Sequence, residues 1–152
     1  MQQADNAYQI IWLTRRLFRA LAQKSDDSLH DLGISVAERA VMEFLHLDEK
    51  LSVPEIAQRY QVSRQHVQVT VNRLLDAGIL ATAVNPRHKR SPLIVLTGKG
   101  KGLFQTIKAR DTRAIKKMFS NVPEKDRCIT QKTLETLLAE LNSSTGGNAD
   151  DH

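Results

Sequence analysis

Residues 63–78 read S-R-Q-H-V-Q-V-T-V-N-R-L-L-D-A-G, from Ser63 to Gly78. The stretch predicts one helix. The Ser63 hydroxyl can accept from a free N–H of the first turn. Gly78 suits the position just past the end, where a left-handed backbone is wanted. At about 100° per residue, Val67, Thr70, Val71, Leu74 and Leu75 fall on one side. Gln65, Gln68, Val69 and Asn72 fall on the other. A merely solvated face would carry Lys and Glu. Amides can pair bidentately with adenine edges, and a small apolar side chain can touch a thymine methyl. The pattern points to a helix that reads DNA.

The neighbours on both sides agree. Upstream, Ser52-Val53-Pro54-Glu55 is a capping box with Pro in the first turn. It opens a short helix over about 54–60, with Ile56, Ala57 and Tyr60 inward. Gln61-Val62 makes the turn into Ser63. Two short helices joined this way form a helix-turn-helix. Downstream, 79–84 and 93–96 have strand character. Between them lies a basic loop, Asn85-Pro86-Arg87-His88-Lys89-Arg90-Ser91-Pro92. The pair predicts a hairpin with a charged tip, a wing.

Further out, apolar spacing predicts a long helix over about 6–24, broken or bent at Ser25-Asp26-Asp27-Ser28. A second capping box, Ser35-Val36-Ala37-Glu38, starts a helix to about Leu47, with Ala40, Val41, Phe44 and Leu45 inward. Leu51 to Val53 suggests a very short strand. Thr97 caps a helix to about Phe119, whose glycines Gly98, Gly100 and Gly102 each disfavour helix by up to ~1 kcal/mol. Pro123 opens a last helix to about Leu141. The Ser/Gly/Asn/Asp-rich tail, 142–152, is expected to be disordered.

The chain has 152 residues and a formal net charge of +5. From Arg59 to Lys101 there are eight basic residues and one acid, Asp76, a net of +7. That leaves about −2 on the remainder. Basic charge therefore gathers around the DNA-reading helix, as phosphate binding requires. One cysteine, Cys128, excludes an intrachain disulfide and a multi-thiolate zinc site. Nothing resembles a signal peptide or a bilayer span, so a cytoplasmic protein is expected.

The order of elements and their local motifs resemble the MarR family of winged-helix transcriptional regulators, over about residues 6–141. The resemblance rests on V-S-R-Q-H-V-Q-V-T-V-N-R-L-L-D-A-G-I-L at 62–80, N-P-R-H-K-R-S at 85–91 and L-T-G-K-G at 96–100. The family's wing reads D-x-R. Arg87 matches its arginine, while Asn85 stands at the acid. Pro92, Gly98 and Gly102 also depart from the usual pattern.

The resemblance implies a mainly α fold with a small β-hairpin wing. It implies an N-terminal dimerisation helix (1–34), a winged helix-turn-helix domain (35–97) and C-terminal dimerisation helices (98–141). It implies a bacterial-type regulator, a repressor, acting as a homodimer on a pseudo-palindrome in double-stranded DNA. The expected DNA contacts are Ser63, Arg64, Gln65, Gln68, Val69, Asn72 and Arg73 on the helix, and Arg87, Lys89 and Arg90 on the wing. Many members are released by phenolic or aromatic carboxylate ligands. Trp12, Arg15, Arg16 and His46 are the candidates to hold such an anion, by stacking and charge pairing.

Two other readings compete. Gly98 to Gly102 could cradle a phosphate at a helix N-terminus, though without the spacing of a P-loop. Cys128, beside Arg127 and Lys125, could serve a redox-responsive regulator. The five histidines show no ligand spacing on one helix, and no catalytic arrangement stands out. No metal, cofactor or enzymatic activity is expected.

Overall fold

The computed structural model describes residues 2–145. The elements, in order, are α1 (Gln2–His30), α2 (Val36–Asp48), β1 (Leu51–Ser52), α3 (Val53–Tyr60), α4 (Arg64–Asp76), β2 (Leu80–Ala83), β3 (Leu93–Leu96), α5 (Gly98–Met118) and α6 (Glu124–Thr145). Two compact units part within α5, after Asp111.

The first unit holds the winged helix-turn-helix. Both capping boxes form as the sequence demands. Ser35 and Glu38 exchange hydrogen bonds of 3.1 Å each at the start of α2. Ser52 and Glu55 do the same at 3.4 Å before α3. The wing strands pair antiparallel, Leu80 opposite Leu96 and Ala83 opposite Leu93. β1 adds to the outer side of β3, Leu51 opposite Ile94, so the sheet has three strands in the order β1-β3-β2. Val53, expected to close the short strand, begins α3 instead.

The core of this unit joins α2, α3, α4, the sheet and the start of α5. Met42, Ile56, Val71, Leu74, Ile94 and Ile107 are at most 2% exposed. Burying one such side chain contributes about 1.5–3 kcal/mol. These contacts hold α4 against the sheet and leave its opposite face in solvent.

Two expectations fail at helix ends. α1 does not break at 25–28; it runs on to His30. Leu29 is buried at 2% exposure. Arg110 of α5 donates to the Ser28 carbonyl at 3.1 Å and makes a bidentate pair with Asp31 at 2.8 and 3.0 Å. The guanidinium thus satisfies a carbonyl at the helix end and favours its negative pole. Those hydrogen bonds hold the Asp31 carboxyl below the usual carboxylate range. Likewise α6 continues past Leu141 to Thr145, its Ser143 and Ser144 hydroxyls each bonded back to the Glu140 carbonyl at 2.9 Å. Residues 142–145 of the expected disordered tail are therefore helical, and 146–152 lie outside the described residues.

The second unit is the end of α5 and α6. Between them lies an open groove of about 970 Å³, lined on its apolar side by Ile115, Phe119, Val122, Leu134 and Leu138. No described residue of α6 is buried.

Candidate nucleic-acid interface

α4 is fixed at both ends by its own sequence and its neighbours. The His66 N–H donates to the Ser63 hydroxyl at 3.1 Å. At the other end Gly78 takes φ +70°, which a Cβ would strain, and its N–H reaches the Leu75 carbonyl at 3.0 Å. The Lys99 ammonium donates to the Ala77 carbonyl at 2.8 Å, a cation on the negative pole of the helix. Val67, Thr70, Val71 and Leu74 are buried, as the spacing predicts.

The other face stands open. Gln65, Gln68 and Asn72 are exposed, and Val69 is 58% exposed between them. The Gln68 amide donates to the Asn72 carbonyl oxygen at 2.8 Å. Gln68 then offers its own carbonyl oxygen outward, and Asn72 its amide protons. Arg73 reaches back to Glu38 at 3.3 Å. Glu38 is buried, with its other oxygen taken by the Ser35 N–H, so one arm of Arg73 is anchored while its side chain remains 70% exposed.

The wing stands beside this face. A cleft of about 320 Å³ separates them, lined by Arg64, Gln65 and Gln68 from α4 and by Arg90, Ser91 and Pro92 from the wing. The structure thus brings four of the expected contacts to one cleft with a guanidinium on each wall. Arg87 and Lys89 are exposed further along the loop. Such a channel, basic on both sides and amide-bearing along one, suits a polyanion with readable edges.

Asn85 was singled out in the sequence only as a departure at the wing. The structure gives it a function: it is buried, and both ends of its carboxamide are used. Its amide donates to the Ser91 carbonyl at 2.9 Å, and its oxygen accepts from the Arg87 N–H at 3.1 Å. Asn-Pro at 85–86 is the readable trace of this turn. Glu38 and Lys99 were also missed. Each acts on α4 from a distant element: the local pattern marks Glu38 only as a capping-box residue of α2, and nothing local marks Lys99.

The glycine run has a packing explanation. A Cβ at Gly100 would lie 2.2 Å from the Ile79 carbonyl oxygen, so only glycine lets α5 approach the backbone just before β2. The Gly100 N–H is taken by the Thr97 hydroxyl at 3.1 Å. Gly98 and Gly102 face open space. This geometry is a helix start packed on backbone. The remaining candidates lie apart. Trp12, Arg15 and Arg16 are exposed along α1. His46, on α2, packs against Phe104 with ring centroids 4.8 Å apart. It lines a mixed-charge groove with Glu49, Lys50 and Lys101 that none of the three α1 residues lines. Cys128 is exposed on α6. Among the described residues no cluster of three or more His, Cys, Asp or Glu could hold a metal, and no helix is long and apolar enough to cross a membrane.

Capped tandem helices, a three-stranded sheet and a projecting basic hairpin define a winged helix-turn-helix protein. Residues 32–91 match the model of the MarR family. The chain is 43% identical over 63 residues to an uncharacterized protein of Mycobacterium tuberculosis, a match covering 41% of this chain and 44% of that one. The chain thus spans less than half the length of the curated relatives it matches. Over the whole chain it is similar to a crystal structure of a MarR family transcription regulator, with TM-score 0.83, 24% identity and 97% of both chains covered. The structure of the S. aureus MepR–DNA complex is also similar, with TM-score 0.74 and 20% identity over 86% of this chain and 96% of that one.

Proposed function

We propose that this chain is a sequence-specific DNA-binding transcriptional regulator, a repressor that acts as a homodimer on a pseudo-palindromic site. The observation that carries the reading is the exposed amide face of α4, with Val69 at its centre, set beside a cleft walled by Arg64 and Arg90. Gln and Asn in the major groove pair with adenine edges, and the basic walls meet phosphates. That a protein of the same fold is described in complex with DNA supports this. For the dimer, the support is apolar surface that one chain leaves open: Tyr8, Leu13, Leu17 and Phe18 on α1, each more than half exposed, and the groove beside α6. Two copies would set their α4 helices in successive major grooves, roughly 34 Å apart.

Selection from random duplexes tests the reading. Wild-type protein should return an A·T-rich inverted repeat and bind it with steep salt dependence. Gln68→Ala should relax preference at one position in each half-site and cost about 1–3 kcal/mol there. Recovery of the same motif by both proteins would show that Gln68 reads no base.

Release by a flat aromatic anion is the accompanying regulatory reading. Its support is that Trp12 is 46% exposed on α1 with exposed Arg15 and Arg16 in the following turn. Such an effector must prefer one dimer geometry, since equal affinity for both shifts nothing. A panel of aromatic acids that leaves both Trp12 fluorescence and DNA affinity unchanged would exclude it.

A further inference from the structure

We infer that Asn85 is the latch of the wing, a positioning residue that closes the loop and aims Arg87, and that its amide donor makes it irreplaceable by the isosteric acid. The inference rests on the DNA-binding reading for what Arg87 does, but not for the latch itself.

The geometry is specific about which atom does what. Ser91 presents a carbonyl, which can only accept, so the group 2.9 Å from it must donate. Arg87 presents an N–H, so the group 3.1 Å from it must accept. One carboxamide meets both demands at once. The side chain therefore ties residue 85 to residue 91 across the base of the loop and to residue 87 along its rising limb. The backbone adds weaker ties, from the His88 N–H to the Asn85 carbonyl at 3.3 Å and from the Ser91 N–H to the His88 carbonyl at 3.2 Å. Two prolines flank the latch. Pro86 fixes its own φ inside the turn, and Pro92 has no N–H and holds Ser91 extended.

Aspartate at 85, the residue of the family's D-x-R pattern, could still accept from Arg87. Its carboxylate would face the Ser91 carbonyl with no proton between two acceptors. Asn85 is only 8% exposed, so water replaces the lost donor poorly. The base of the loop would open, and the backbone that carries Arg87 would lose its fixed exit direction. The Arg87, Lys89 and Arg90 side chains are exposed, and the loop that carries them sets where they start. A loosened loop must be ordered again on binding, which lowers affinity.

Trypsin reads the latch without DNA, because it cuts after Arg87, Lys89 and Arg90 when the loop opens. In full-length protein, mass spectrometry should show those three cuts about tenfold faster in Asn85→Asp than in wild type. Cuts elsewhere and the thermal midpoint of the helical signal should be unchanged, which separates an open wing from an unfolded chain. Asn85→Ala, which loses both bonds, should be cut at least as fast as Asn85→Asp. Binding reads the positioning. On two selected duplexes differing only in flanking A·T content, the wild-type preference should fall toward unity in Asn85→Asp, as in Arg87→Ala. Wild-type cutting rates in Asn85→Asp would overturn the latch. Faster cutting with the flank preference intact would overturn the aiming of Arg87. Faster cutting in Asn85→Asp, with wild type binding no duplex, would support the latch and overturn the DNA reading instead.

Discussion

α4 and α6 are both helices with apolar residues at helical spacing, and they use them in opposite ways. α4 has 13 residues and buries four of them, with bonds from its own cap and from Lys99 at its ends. α6 has 22 residues, and none of those described is buried; Ile129, Leu134 and Leu138 are each at least 41% exposed. The apolar face of α4 is satisfied inside the winged domain, which frees its polar face for a ligand. The apolar face of α6 is left open within one chain. Long helices hold by packing rather than propensity, and the proposed dimer would supply the surface that α6 lacks.

The sharpest way to break this comparison is to cut each face and vary protein concentration. Leu74→Ala removes a side chain that is 1% exposed, and should cost about 2–5 kcal/mol at every concentration. Leu138→Asp should leave the winged domain folded and weaken self-association by about 30-fold or more. Urea titration at two concentrations, with sedimentation, reads both. Stable association of the Leu138→Asp protein would remove α6 from the proposed dimer.

The same contrast recurs within three residues of α5. Gly100→Ala drives a methyl into the Ile79 carbonyl, and should destabilise by about 1–3 kcal/mol. Gly102→Ala meets nothing within 4 Å, and should stabilise by up to ~1 kcal/mol through helix propensity. Equal effects in thermal melts would mean that α5 does not pack on that carbonyl.

The smallest effect concerns the end of α1. The Asp31 carboxyl is depressed chiefly by its hydrogen bonds to Arg110. A depressed carboxylate contributes stability that is full above its unfolded pKa and is lost as pH falls through its folded value. Asp31→Asn should therefore flatten the pH dependence of stability only below the ordinary carboxylate range. The pair is exposed, so the change should be slight. An unchanged acid limb in the variant would show that the pair carries no linkage.

Local chemistry was enough for the elements that end on their own caps. Ser35, Ser52, Ser63 and Gly78 each announce a boundary through a hydroxyl or a φ that acts within three residues, and the structure keeps all four. The buried side of α4 was legible too, because a helix of known period leaves one choice of inner face. Tertiary structure decided the rest. α1 passes through Ser25–Ser28 because Leu29 is buried and Arg110 arrives from 79 positions beyond Asp31. Met42 is in the core, where the spacing drew attention to Val41, Phe44 and Leu45 instead, and Phe104 joins it from α5. The amide of Asn85 closes the wing where a departure from a pattern was all that could be read. The physical reason is range: a cap or a turn is satisfied by atoms the sequence places nearby, while a buried ring, a guanidinium or a carboxamide is satisfied by whatever the fold brings to it.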